Sequence, residues 1–151
     1  QKGGLSASFQ AEVAQEIEDL IGRQALEEVG LEALETAARR SALRLAARSL
    51  QQQLNQDHSD HTGAELPCSC GRQARYAGRR RKRFESVLGE LELERAYYHC
   101  AGCGQGFYPR DRQLGLEKIS LSPAVMRMTA TVAALVSFQE SSQLLEELAG
   151  V

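Results

Sequence analysis

Four cysteines in the middle of the chain form two close pairs, an arrangement typical of a metal site. One residue separates Cys68 from Cys70, two residues separate Cys100 from Cys103, and a glycine directly follows the second cysteine of each pair. Thiolates are soft ligands that suit tetrahedral Zn²⁺, and two tight turns that present two sulfurs each can complete its shell. Glycine fits such turns because it tolerates positive φ. The pattern predicts one structural Zn²⁺ in a zinc ribbon.

The alternatives to a metal site are disulfide bonds between these cysteines or free buried cysteines. A reducing cytoplasm disfavours disulfides, and unrelated buried cysteines would not be expected to pair at both ends of one segment. Because only one residue lies within the first pair, a histidine replacing one sulfur stays an alternative, from His58, His61 or His99. Four sulfurs would close the shell, which indicates a structural role, since catalytic zinc keeps an open position.

A run of basic residues lies between the two cysteine pairs. Residues 67–118 hold eleven Lys and Arg against six Asp and Glu, whereas residues 1–66 hold six against eleven, and the whole chain has a net charge of −2. Such a local field suits binding to the phosphates of DNA, and we expect DNA contact because neighbouring carboxylates do not balance the run. The alternative is a solvated hairpin. The predicted DNA-binding residues are Arg72, Arg75, Arg79, Arg80, Arg81, Lys82 and Arg83.

The elements that carry these residues predict an α+β fold. Apolar residues recur at helical spacing on both sides of Gly30, which predicts a helical hairpin and a candidate dimerisation region over residues 1–57. The polar segment 58–66 predicts a linker, and residues 67–110 predict the zinc ribbon. Residues 111–151 predict a helical region that resembles the start of a helix-turn-helix, whose second helix would lie beyond Val151.

Alternating apolar residues predict a small antiparallel sheet within the zinc ribbon. Three short strands are expected around residues 74–76, 84–87 and 91–97, with a turn at residues 88–90 and a short extended piece after the second cysteine pair. Ser122 followed by proline predicts the start of a core helix, and a final helix is expected at about 138–149.

Several function classes lack support in the sequence. No set of residues suited to catalysis is recognisable, so the sequence assigns no enzymatic activity to this chain. No apolar run is long enough to span a bilayer and no signal sequence is present, which predicts a cytoplasmic protein. The chain begins without methionine and stops just after a predicted helix end, so we expect a fragment of a longer protein.

The second half of the chain resembles the N-terminal part of transposases of the ISKra family of bacterial insertion sequences. The resemblance covers residues 66–151 and lies in the two cysteine pairs and in the motifs VLGELELERAYYHC, FYPRDRQLGL and SFQESSQLLEELAGV. It implies a DNA-binding region ahead of a DDE nuclease domain that uses Mg²⁺ and is not in this chain. It also implies recognition of double-stranded transposon ends by a homodimer or higher oligomer, associated with the bacterial nucleoid.

Two other functions remain open from the residues. A stand-alone zinc-ribbon adaptor or regulator, descended from a transposase, could bind protein or RNA through the acidic helices. An enzyme with a zinc-bound nucleophile would require one cysteine to leave the metal, which four zinc–sulfur bonds would exclude.

Overall fold

The computed structural model of the protein describes residues 30–135 and nine single positions outside that range, at 11, 14, 15, 19, 140, 143, 144, 146 and 147. The chain divides into two compact units, Gln1–Arg48 and Ser49–Val151. Helices and a small antiparallel sheet make up the described part, which confirms the α+β class. The first helix of the predicted hairpin and the predicted final helix fall mainly outside the described residues, and so does the helix-turn-helix resemblance.

Helix α1 spans Leu31–Gln56 and agrees with the helical periodicity of this segment. Its first turn begins at Gly30, whose carbonyl accepts hydrogen bonds from the N–H groups of Ala33 and Leu34. No helix in the described part of the chain is long and apolar enough to cross a membrane.

Four antiparallel strands form one sheet in the order β1-β2-β3-β4. Strands β1 and β4 are short, and β2 and β3 form a long hairpin; the strands span Glu65–Pro67, Gln73–Ser86, Gly89–His99 and Gly106–Phe107. The first two of the predicted strand runs belong to one continuous strand, β2. A β-bulge lies between the Tyr76 and Arg79 pairings, where Gly78 has a φ of 90°. Five consecutive basic residues, 79–83, separate the two apolar runs of β2, which is why the sequence pattern reads as two strands.

The hairpin turn lies one residue earlier than predicted, at Val87 and Leu88 between the paired residues Ser86 and Gly89. The Ser86 hydroxyl donates to the Gly89 carbonyl at 2.7 Å and accepts from the Leu88 N–H at 3.1 Å. The glycine has a φ of 109°, a value that other residues rarely adopt.

Side chains cover the outer edge of β3 where no strand pairs with it. Gln51 accepts from the Glu92 N–H at 2.7 Å, and Asn55 bonds both the Glu92 carbonyl and the Glu94 N–H. Gln51 and Asn55 are one helical turn apart, a rise of about 6 Å, which matches the roughly 7 Å between alternate strand residues. The end of α1 therefore satisfies an edge that would otherwise offer unpaired hydrogen-bonding groups.

The segment 58–66, for which the sequence predicts a linker, packs onto the sheet. The Asp60 side chain is fully buried and accepts from the Ala96 N–H at 2.7 Å, continuing the edge coverage of β3. The His61 ring contacts Tyr76 edge-on, and the Tyr98 hydroxyl donates to the Gly63 carbonyl at 2.9 Å. Strand β1 begins at the end of this segment.

Two further helices follow the sheet. Helix α2, Pro109–Leu114, was not predicted; it begins with proline and ends at Gly115, which has a φ of 67°. Helix α3, Pro123–Leu135, confirms the predicted helix, although Val125 is its one buried residue among those whose burial the structure describes. The Ser122 hydroxyl accepts from the Val125 N–H at 3.2 Å, as expected for an N-cap.

Asp60 connects several buried groups. Its carboxylate lies 3.0 Å from Nη1 of Arg79 and 3.7 Å from Nη2 of Arg110, whose side chain is only 5% exposed. Arg110 also donates to the Asp57 carboxylate, which holds the pKa of Asp57 well below its usual range. One buried carboxylate thus compensates two arginines and a strand N–H.

Replacing Asp60 with alanine should lower the free energy of unfolding by about 3–5 kcal/mol, because it leaves Arg79 without its counter-charge and the Ala96 N–H without its acceptor. Urea unfolding of the metal-loaded chain, followed by circular dichroism, measures this. Glu65→Ala is the matched control, since Glu65 pairs with an Arg75 side chain that is 83% exposed and should change stability by less than about 1 kcal/mol. Equal effects of the two substitutions would contradict the role of Asp60.

Candidate metal centre and basic hairpin

Each cysteine pair occupies a tight turn at the same end of the sheet. In the first turn the Gly71 N–H donates to the Cys68 carbonyl at 3.0 Å, and in the second the Gly104 N–H donates to the Cys100 carbonyl at 2.8 Å. Both glycines have positive φ, 82° and 72°. The two turns are therefore equivalent knuckles, as the glycine spacing predicts.

The four cysteine sulfurs converge on one point. The Sγ atoms of Cys68 and Cys103 are 3.7 Å apart, those of Cys70 and Cys100 are 3.6 Å apart, and all four lie within 4.8 Å of one another. A tetrahedron with metal–sulfur bonds of about 2.3 Å has edges of about 3.8 Å. The sulfurs therefore lie close enough to bind one metal ion.

Each knuckle contributes one buried and one exposed sulfur residue. Cys68 and Cys100 are buried and belong to a small core with Ala74, Ala96 and Tyr98, whereas Cys70 and Cys103 are exposed. A bound ion would thus connect the core of the sheet to its surface.

The pKa values of the cysteine thiols also favour binding of a metal cation. The backbone N–H of Cys70 lowers the pKa of the Cys68 thiol to about 7. At Cys103 the Gln105 N–H favours the thiolate, but burial and the other three sulfurs raise the pKa to about 12. Neighbouring thiolates repel one another, which makes each further deprotonation harder. A divalent cation offsets this repulsion, because it binds the thiolate form. Metal binding should therefore release protons.

None of the candidate histidines belongs to the metal-binding group found among the described residues, which consists of the four cysteines. His61 packs against Tyr76, and His99 lies beside Tyr97 with the ring centroids 6.5 Å apart.

Carboxylates neutralise part of the basic run, which the sequence pattern did not predict. Arg81 contacts Glu92 at 3.4 Å and Glu94 at 3.0 Å, and Arg83 contacts Glu92 at 3.2 Å. These glutamates are far from the arginines in sequence but directly opposite on β3. The premise that the run is not balanced locally is therefore wrong for Arg81 and Arg83, because the hairpin pairs their strand with an acidic one.

Two of the seven predicted contact residues are largely buried. Arg79 is 19% exposed and bonds Asp60 and the Glu94 carbonyl, and Lys82 is 15% exposed and contacts Asp111 and the Leu116 carbonyl. Both cations therefore pair with groups of the protein itself.

The remaining three basic residues are exposed near the knuckles. Arg75 pairs with Glu65 at 3.1 Å, Arg72 donates to the Gly102 carbonyl at 3.4 Å, and the Arg80 guanidinium lies 5.8 Å from the centroid of the Tyr97 ring. Within residues 30–135, no ion pair joins Arg72 or Arg80 to a carboxylate.

A second group of charges, around Arg95 and Asp111, was not predicted. Both residues are buried and form an ion pair, and the Arg95 guanidinium lies 3.8 Å from the centroid of the Tyr108 ring. The sequence did contain evidence for both parts. Arg95 continues the alternation of Leu91 and Leu93 along β3, which indicates that it faces the same side as these residues. Proline and glycine flank α2, as they often flank helices. The pairing itself could not be found, since it joins separate elements.

Comparison with known proteins gives no match. No protein-family model, no curated protein and no solved structure is significantly similar to this chain. The resemblance to ISKra-family transposases therefore rests on the sequence motifs.

Replacing Cys103 with serine should weaken metal binding by at least about 100-fold, because loss of a ligand should exceed the 10- to 100-fold effect of losing a ligand's supporting group. Native mass spectrometry in the presence of a competing chelator, set to leave the wild-type site filled, should show one metal ion per wild-type chain and none on the variant. Ser69→Ala, an exposed position inside the first knuckle, is the control and should retain the ion. A Cys103→Ser chain that keeps full occupancy would exclude the four-sulfur site.

Proposed function

We propose that this chain is a DNA-binding region in which a structural Zn²⁺ holds the base of a basic hairpin, as part of a bacterial insertion-sequence transposase. The observation that carries the proposal is the convergence of the four sulfurs, with opposite edges of 3.6 and 3.7 Å. Four thiolates in tetrahedral array suit Zn²⁺ or an iron–sulfur centre, and a closed four-cysteine site is the common structural zinc site.

The zinc is proposed to act by fixing the knuckles. Arg72 follows the first knuckle in sequence and directly precedes β2. Its side chain donates to the Gly102 carbonyl, which belongs to the second knuckle. Joining the knuckles through one ion would therefore hold Arg72 and the start of β2 in fixed positions. A closed shell leaves no position for substrate, so the ion would have no catalytic role.

The transposase part of the proposal is supported by the order of the sequence motifs. In the structure the motifs VLGELELERAYYHC and FYPRDRQLGL contribute β3, Cys100 and α2, which belong to one compact unit, whereas SFQESSQLLEELAGV lies mostly outside the described residues. Cleavage and joining of DNA would belong to a DDE domain outside this sequence, with its own Mg²⁺. The chain itself would recognise double-stranded transposon ends, as a homodimer or higher oligomer.

Fluorescence anisotropy with labelled DNA tests the proposal. The zinc-loaded chain is titrated with duplexes from the two ends of the mobile element that encodes it, and with shuffled duplexes of equal length. Binding should weaken as salt rises, because phosphate contacts release counterions, and the end sequences should bind at least about tenfold more tightly, since one mismatched base pair costs about 1–3 kcal/mol.

Equal affinity for end and shuffled duplexes would contradict recognition of transposon ends. Absence of binding to any duplex at low salt would contradict the DNA-binding function as a whole.

A further inference from the structure

The hairpin formed by β2 and β3 has two faces with different charge. Directly opposed residues of neighbouring strands share a face, and successive residues of one strand alternate between faces. By the strand register, the first face carries Arg81 opposite Glu94 and Arg83 opposite Glu92. The second face carries Arg75 opposite His99 and Arg80 opposite Arg95.

The open part of the first face has more carboxylates than cations. Arg81 and Arg83 both contact Glu92, and Glu85 lies opposite Glu90 on the same face, so four glutamates accompany two arginines. A DNA phosphate that approached either arginine would have to displace a carboxylate and would be repelled by the others. This face suits a nucleic acid poorly.

The open part of the second face has the opposite balance. Arg75 and Arg80 lie there with Glu65 as the carboxylate opposite Arg75, and Arg72 lies at the adjacent knuckle. The Arg75 side chain is 83% exposed and its pair with Glu65 is therefore weak. Three accessible cations face one carboxylate.

The Tyr97 ring supports Arg80 in this position. Tyr97 packs beside Tyr108 with centroids 5.0 Å apart, and its ring lies across Gly106, where any Cβ atom would overlap it. A guanidinium over a ring uses its flat face, which leaves its N–H donors free for phosphate.

We propose that duplex DNA docks on the surface formed by Arg72, Arg75 and Arg80, the knuckle surface, and not on the Arg81 and Arg83 side of the hairpin. This inference rests on the proposed DNA-binding function and specifies its contact surface. The opposite side, with its excess of glutamate, orients the DNA by repulsion.

The test compares two double variants that remove the same charge, Arg72→Ala with Arg80→Ala, and Arg81→Ala with Arg83→Ala. All four side chains are exposed, so both variants should fold, which metal content and circular dichroism verify. The probe is a random-sequence duplex of about 30 base pairs, titrated with the full zinc-loaded chain at several NaCl concentrations.

Loss of Arg72 and Arg80 should weaken binding by roughly 10- to 100-fold at 0.1 M NaCl and reduce the slope of log K against log salt by about 2. Loss of Arg81 and Arg83 should change affinity by less than about threefold. An equal or larger loss from the Arg81 and Arg83 variant, with normal wild-type binding, would overturn the knuckle surface and leave DNA binding intact. A wild-type chain that does not bind the duplex would overturn both proposals.

Discussion

The antiparallel register of β2 and β3 is the constraint on which the rest of the structure depends. The pair formed by Arg75 and His99 closes the hairpin at the end where the cysteine knuckles begin, so residues about 30 positions apart in sequence meet. The same register sets the four sulfurs within 4.8 Å of one another and sets the glutamates of β3 opposite the arginines of β2. A shift by one residue would move every side chain to the other face and separate these partners.

Charge has two distinct uses in this fold. Inside, Asp60 and Asp111 compensate Arg79, Arg95 and Arg110, and these pairs join the hairpin to the segments that flank it. Burying ions is costly, so such pairs add little net stability, whereas removing one partner is strongly destabilising. Outside, the bulge at Gly78 leaves one basic surface near the metal site and one mixed surface near the hairpin turn. The net charge of the segment does not reveal this division, because it depends on the pairing of strands.

Local patterns predicted much of this architecture from sequence. The cysteine spacing and following glycines identified the residues of the candidate metal centre because each knuckle is a local turn, and the Ser122 cap identified the start of α3. The full extent of β2 was not predicted, because the basic residues 79–83 interrupt its apolar alternation. The pairing of Arg81 and Arg83 with Glu92 was also missed, since cross-strand contacts require the register. Asp60 lies in a polar segment whose composition indicates a linker, and only its tertiary contacts reveal a buried carboxylate.

The dependence of DNA affinity on the bound metal tests whether the ion organises the DNA-binding surface. The affinity for duplex DNA would be measured for the zinc-loaded chain, after removal of the metal by a chelator, and after addition of one equivalent of Zn²⁺. We expect the affinity to fall at least about tenfold without metal and to return with Zn²⁺ but not with Mg²⁺, which prefers oxygen ligands. Equal affinity with and without the metal would contradict the claim that the ion organises the DNA-binding surface.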